Sequence, residues 1–219
     1  MARRAGPWHA PKAVHGDVSL APSEKPHAFG ENAPNVVDRL GGFETLGVHG
    51  GSKPLEVILE AKEDTIPDES VDPKVKNFHW GDLTRALFEG EEKGVDTVVL
   101  LDINGNLAEG PGFNAFVVKD NVVLSPDRGA LEGITRKSVF ELCDDLGIAY
   151  QIRAISAPEV LDADEIFLST TAGGIMPASR INGRIMGNDR PGPISMKLRE
   201  TFWKRRAEGW HATPVEGLT

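Results

Sequence analysis

Residues 114–126 read "NAFVVKDNVVLSP". Two valine-rich runs flank Asp120 and Asn121, residue types that tolerate the left-handed backbone of a tight turn. The segment therefore predicts a hairpin turning at Asp120-Asn121. Soon after it, "GITRKSVFELCDDLG" (133–147) places Val139, Leu142, Cys143 and Leu146 on one helical face, with Gly147 as the C-cap. Hairpins interleaved with helices describe an α+β domain with a mixed sheet, not a doubly wound parallel sheet.

The same alternation continues in both directions. Upstream, "PLEVILEA" (54–61) alternates weakly like a strand. Asp82 is placed to cap a helix running to about Lys93, with Leu83, Ala86 and Leu87 on one face. "DTVVLLD" (96–102) reads as a buried strand, and Asn104-Gly105 as a hairpin turn into "NLAEG". Downstream, "YQIRAIS" and "EIFLSTT" read as strands separated by a short acidic helix around Pro158 to Ala163. "SRINGRIMG" is a further hairpin with an Asn-Gly turn. Pro193 opens a last helix whose Ile194, Leu198 and Phe202 share a stripe, and whose basic end suits the helix dipole.

Residues 1–54 differ in character. Six prolines and eight glycines fall in those 54 positions, together with four of the six histidines, and no periodicity exceeds about two turns. The expectation is a poorly structured or non-homologous extension at 1–54, followed by one domain at 55–219. The full chain of 219 residues carries 33 acidic and 24 basic side chains, a formal charge of −9. That balance argues against nucleic acid or an anionic membrane as partner. The single cysteine, the absence of an 18-residue apolar run and the lack of an apolar stretch after Arg3 and Arg4 point to a cytoplasmic protein. The scattered histidines match no metal spacing.

Four segments stand at strand ends or helix starts: "KVKN" with Lys76, "AEGPGFN" with Glu109, "ALEGITR" with Gly133 and Thr135, and "STTAGGIMP" with Thr170 and Thr171. Singly, each has a plain structural reading: a solvated lysine, a turn acid, a helix start, a bend with hydroxyls. Together they suit pyridoxal phosphate. A lysine forms a Schiff base with its aldehyde, a carboxylate keeps its pyridine nitrogen protonated, and a helix start with threonines binds its phosphate.

"VKNFHWGDL", "LAEGPGFN", "DRGALEGITRKSV", "DEIFLSTTAGGIMP" and "GPISMKL" come in one order along the chain. In these motifs the sequence resembles the class IV (fold-type IV) pyridoxal-phosphate aminotransferases over roughly residues 63–208. That family includes branched-chain and D-amino-acid aminotransferases, aminodeoxychorismate lyases and (R)-selective amine transaminases, and "KNFHWGDL" and "TTAGG" lean toward the last. The resemblance implies that Lys76 is the Schiff-base lysine, Glu109 the partner of the ring nitrogen and Leu131 a residue against the ring face. It also implies that Ile134, Thr135 and Thr171 hold the phosphate, with Phe113, Asn114, Gly133 and Thr170 near the cofactor. Trp80, Ala172, Gly173 and Gly174 would border the substrate, an amine or amino acid and its keto-acid partner. A lysine that relays protons in such a site needs burial beside positive charge.

The family's sites are closed by a small N-terminal domain and by the second subunit of a homodimer. That small domain is not recognisable before Lys76, nor is the His-x-x-Arg segment whose arginine grips the phosphate. The first 54 residues accordingly read as the product of truncation, fusion or a shifted frame. Weakened activity, lyase chemistry or a non-catalytic remnant of the family stay open at this level.

Overall fold

The computed structural model describes residues 55–60, 66–67, 69–76, 79 and 81–213. The proposed extension at 1–54 and Trp80 lie outside the described residues. Two sheets carry the fold. One has the order β10-β9-β1-β2, with β1 (Glu56–Glu60) parallel to both β2 (Thr97–Leu100) and β9 (Arg180–Ile181), and β10 (Arg184–Ile185) antiparallel to β9. The other has the order β6-β5-β4-β7-β8, with the short β3 (Glu109–Gly110) on β4 (Phe113–Lys119). In it β5 (Val122–Ser125) runs parallel to β6 (Tyr150–Ile152). The pairs of β4 with β5, of β4 with β7 (Glu165–Thr170), and of β7 with β8 (Gly174–Ala178) are antiparallel. The mixed α+β class holds, built on two sheets where one was expected.

Side-chain alternation fixes the layers. On β4, Ala115 and Val117 join a core shared with Val57 and Val99 of the other sheet. Phe116 and Val118 point the opposite way, toward α2 (Ile134–Leu146) and α4 (Pro193–Ala207). On β2, Val98 and Leu100 pack with Ala86 of α1 (Gly81–Glu92), while Val99 faces the central core. The order is thus helix, sheet, sheet, helices, and central strands are apolar on both faces. Complete burial of Phe116, Phe167, Leu142 and Leu198 contributes roughly 1.5–3 kcal/mol each. Cys143 belongs to this core, and burial pushes its thiol up to about 12.

Several turns follow their residues. Asp120 and Asn121 have φ of 50° and 63°, and Asn182 and Gly183 have 48° and 75°, the left-handed pairs of two-residue hairpins. Gly147 closes α2 with φ 65°. Two expectations change. Asp82 lies inside the first turn of α1, accepting the Leu83 N–H with one oxygen and the Ile66 N–H with the other. At Asn104-Gly105 only Gly105 has positive φ. There Asp102 Oδ1 accepts the N–H groups of Asn104 and Asn106, and the ladder beyond is the single bridge Leu101↔Leu107. The acidic helix is α3 (Ala157–Leu161), begun by a reciprocal capping box between Ser156 and Glu159.

Candidate active site

A cavity of about 360 Å³ opens where the six-stranded sheet meets the start of α2. Its floor is explained by register. Phe116 pairs with Phe167 across β4 and β7, their rings stacked at 4.7 Å. Two residues along, on the same face, Asn114 pairs with Ser169, and Asn114 also pairs with Glu109 of β3. The apolar layer between sheet and helices therefore gives way to a polar row, Glu109–Asn114–Ser169, at the strand ends.

Glu109 is half-buried in this row. Loss of water raises its carboxyl from the ordinary 4.5 to about 7, against the Leu131 N–H bond and the charges of Lys76 and Arg136, while Asp82 adds to the rise. Glu109 Oε2 accepts the Leu131 N–H at 2.9 Å and the Asn114 side-chain amide at 3.3 Å. The same amide donates to the Leu131 carbonyl at 2.7 Å.

Helix α2 begins against this row. Gly133 is its N-cap and supplies no side chain, so the first N–H groups meet the cavity without a side-chain cap. Gly133 is dictated by packing, because a Cβ there would overlap Asn114 Oδ1. Thr135 is buried and Ile134 is 83% exposed, and both border the cavity. Arg136 turns behind the helix start, donating to Ser125 Oγ at 2.9 Å and the Pro126 carbonyl at 2.5 Å, and so holds the loop that carries Leu131.

Lys76 enters from the segment before α1 and lines the same cavity as Glu109. Phe113, Asn114, Leu131, Thr170 and Thr171 also line it, while Ala172 and Gly173 do not. The burial expected of Lys76 is not found: the residue is exposed, and the charged groups sharing the cavity with it are chiefly Asp82, Asp102, Glu109 and Glu132. Ser169 was not anticipated. Its hydroxyl is buried and has no hydrogen-bond partner among the described residues. The signal was its place in β7 two residues from Phe167, which becomes readable only once the pairing with β4 is known. No helix among the described residues is long and apolar enough to cross a membrane. Among those residues no cluster of histidine, cysteine and carboxylate side chains could hold a metal.

Comparison with known proteins bears on this arrangement. The branched-chain-amino-acid aminotransferase of Escherichia coli (strain K12) is 36% identical over 117 residues, 52% of this chain and 38% of that protein. The crystal structure of the T.th. branched-chain amino acid aminotransferase complexed with N-(5'-phosphopyridoxyl)-L-glutamate gives a TM-score of 0.66 at 32% identity. The match covers 72% of this chain and 55% of that one. The Thermoproteus uzoniensis branched-chain aminotransferase, solved with norvaline, gives 0.66 at 30% identity over 73% of this chain and 53% of its own. The chain spans about half the length of the curated relatives it matches. The profile described as Amino-transferase class IV matches residues 50–181, more than half of the sequence and all of the strands from β1 to β9. With the mixed sheets, the helix start and the motif order agreeing along that stretch, the chain belongs to amino-transferase class IV.

Proposed function

We propose that this chain is the cofactor-holding part of a pyridoxal-phosphate aminotransferase, moving an amino group between an amine or amino acid and a keto acid. One observation carries the reading: Lys76, Glu109 and the uncapped start of α2 share one cavity. The residues present fit the cofactor. A carboxyl poised near 7 suits a ring nitrogen that must stay protonated, and a helix start without a side-chain cap suits a phosphate dianion. The cofactor, when bound, supplies an aldehyde to receive the amino group and a ring to accept electrons from the substrate carbon.

The chain's own residues do the rest. Lys76 is the covalent anchor and, once displaced by a substrate amine, the group that carries the proton to and from the reacting carbon. Glu109 holds the ring nitrogen's proton. The N–H groups of Ile134 and Thr135, with the hydroxyls of Thr135 and Thr171, hold the phosphate, and Leu131 packs on the ring. Thr170, Phe113 and Gly133 complete the walls, and the family resemblance assigns Trp80, Ala172, Gly173 and Gly174 to the substrate. Exposure of Lys76 is supportable if a further wall covers it, and exposed Val75 and Ile134 beside the cavity suit burial against the second subunit of a homodimer.

The charge of the walls favours an amine donor. Four carboxyl groups line the cavity against Lys76 and His79, and no arginine is among the described lining residues. Such walls attract a cationic amine and oppose a carboxylate. They also weaken phosphate binding, and an arginine contact, which no described lining residue supplies, is worth about 1.5–3 kcal/mol, roughly one to two decades of affinity. The expected behaviour is weak cofactor uptake and slow transamination. The test is titration with pyridoxal phosphate of the wild type beside Lys76→Ala, with borohydride reduction and peptide mass mapping. An adduct on Lys76 and turnover of a simple amine support the reading. A wild type that forms no adduct at saturating cofactor identifies a non-catalytic relative instead.

A further inference from the structure

We infer that Asn114 is a positioning residue: it commits one oxygen of Glu109 to the protein, so that the other is presented to a cationic N–H donor in the cavity. The inference deepens the aminotransferase reading and rests on it for the nature of that donor.

The geometry is specific. Both protein donors to Glu109, the Leu131 N–H and the Asn114 amide, reach the same oxygen, Oε2. Among the described residues Oε1 has no donor, and Glu109 is one of the residues lining the cavity. The Asn114 amide spends one hydrogen on the Leu131 carbonyl and the other on Glu109 Oε2. The opposite orientation would set its carbonyl oxygen against two acceptors, so the amide has one satisfactory placement. Its own Oδ1 is seated where a side chain at Gly133 would be. Asn114 is 5% exposed and cross-strand from both Glu109 and Ser169, so it is held by the sheet on two sides.

The consequence is electrostatic as well as steric. A donor to a carboxylate favours the charged form, and here it opposes the desolvation that favours the neutral one. The other charges acting on Glu109 are Lys76 from the segment before α1, Asp82 from α1 and Arg136 from α2. His79, Asp102 and Glu132 line the same cavity. None of these bonds to Oε2, whose donors among the described residues are the Leu131 N–H and the Asn114 amide, so Asn114 is the side chain that links the carboxyl's direction to its charge.

The test uses the cofactor-free full chain and carboxyl-carbon NMR, with Glu109 assigned by the signal lost in Glu109→Gln. Asn114→Leu, similar in size and without donors, should raise the Glu109 midpoint by about one pH unit. In the unsubstituted protein the Asn114 side-chain amide resonances should shift with the Glu109 midpoint. A midpoint that Asn114→Leu leaves in place overturns the inference. If that variant does not fold, the wild-type amide resonances decide: shifting with Glu109 supports it, and indifference to pH overturns it. A wild type that shows both effects yet takes up no pyridoxal phosphate defeats the aminotransferase reading and leaves the pairing of Asn114 with Glu109 standing.

Discussion

Glu165 closes the start of α4: its two oxygens accept the N–H groups of Ile194 at 3.0 Å and Ser195 at 2.8 Å. The carboxylate comes from β7 rather than from the helix itself, so strand and helix are joined at the end remote from the cavity. Gly192, the N-cap, leaves room for it, since a Cβ there would overlap the carboxyl group. Glu165→Ala should cost about 3 kcal/mol by leaving two N–H groups of a buried helix start unpaired, and Glu165→Gln about half that. Denaturant midpoints of the two variants measure both. Equal losses would show that packing volume, and not acceptance of the two bonds, matters there.

The carboxyl of Glu109 makes stability depend on pH in an unusual direction. Its value is about 7 in the folded chain against an ordinary 4.5, so the native state binds the extra proton between those limits. The resulting stabilisation is complete below pH 4.5 and is lost as pH rises through 7, by on the order of 2–3 kcal/mol. Urea titrations of the cofactor-free chain from pH 5 to 8 should show that loss, and Glu109→Gln should abolish its slope. A stability that instead rises over this interval would place the carboxyl in a wetter setting than the structure gives it.

These two carboxyl groups differ in how much of them could be read from the sequence. The β4–β5 hairpin, α2 and α4 announced themselves through Asp120-Asn121, the Val139-Leu142-Cys143 spacing and Pro193, all local signals. Strand β8 did not, because Pro177 within "GIMPA" argues against a strand. It is tolerated because β8 is the last strand on its side of the sheet, where an N–H can be spared. The gathering of Lys76, Glu109 and Thr135 into one cavity was expected from the joint chemistry of those residues and from motif resemblance, not from any local pattern, since residues separated by dozens of positions meet only through sheet register. Register also decided Asn114, expected beside a ligand and found bonded to Glu109 and Leu131, and it exposed Ser169, whose hydroxyl no local pattern marks.

Gly133 offers a direct check on that polar row. Its φ of −62° and ψ of 148° are open to any residue, so only space demands glycine. The Cβ of Gly133→Ala would overlap Asn114 Oδ1, and the amide cannot swing aside without breaking its bonds to Glu109 and Leu131. A loss of about 1–3 kcal/mol is expected in the wild-type background. In an Asn114→Ala background the added cost should fall below about 0.5 kcal/mol, a coupling that a double-mutant cycle reads directly.

Gly173 and Gly174, adjacent in the turn from β7 into β8, should behave differently. Gly174 has φ 62°, and an added Cβ would stand 2.7 Å from Phe202 Cε1 and 2.9 Å from Trp203 Cζ2, two rings wedged together at 5.5 Å. Neither ring can retreat without disturbing α4, so Gly174→Ala combines backbone strain with overpacking and should cost about 2–4 kcal/mol. Gly173 has no such φ, and the atom nearest its added Cβ is the sulfur of Met176, the far part of a flexible side chain. Gly173→Ala should cost no more than about 1 kcal/mol. The larger strain also reaches the cavity, because Gly174 pairs with Thr170 across β7 and β8 and Thr170 lines the wall. Thermal unfolding of the two variants, followed by pyridoxal phosphate titration, should therefore show Gly174→Ala losing both stability and cofactor affinity. Gly173→Ala should keep most of each, and a reversed ranking would mean that α4 yields more readily than Met176.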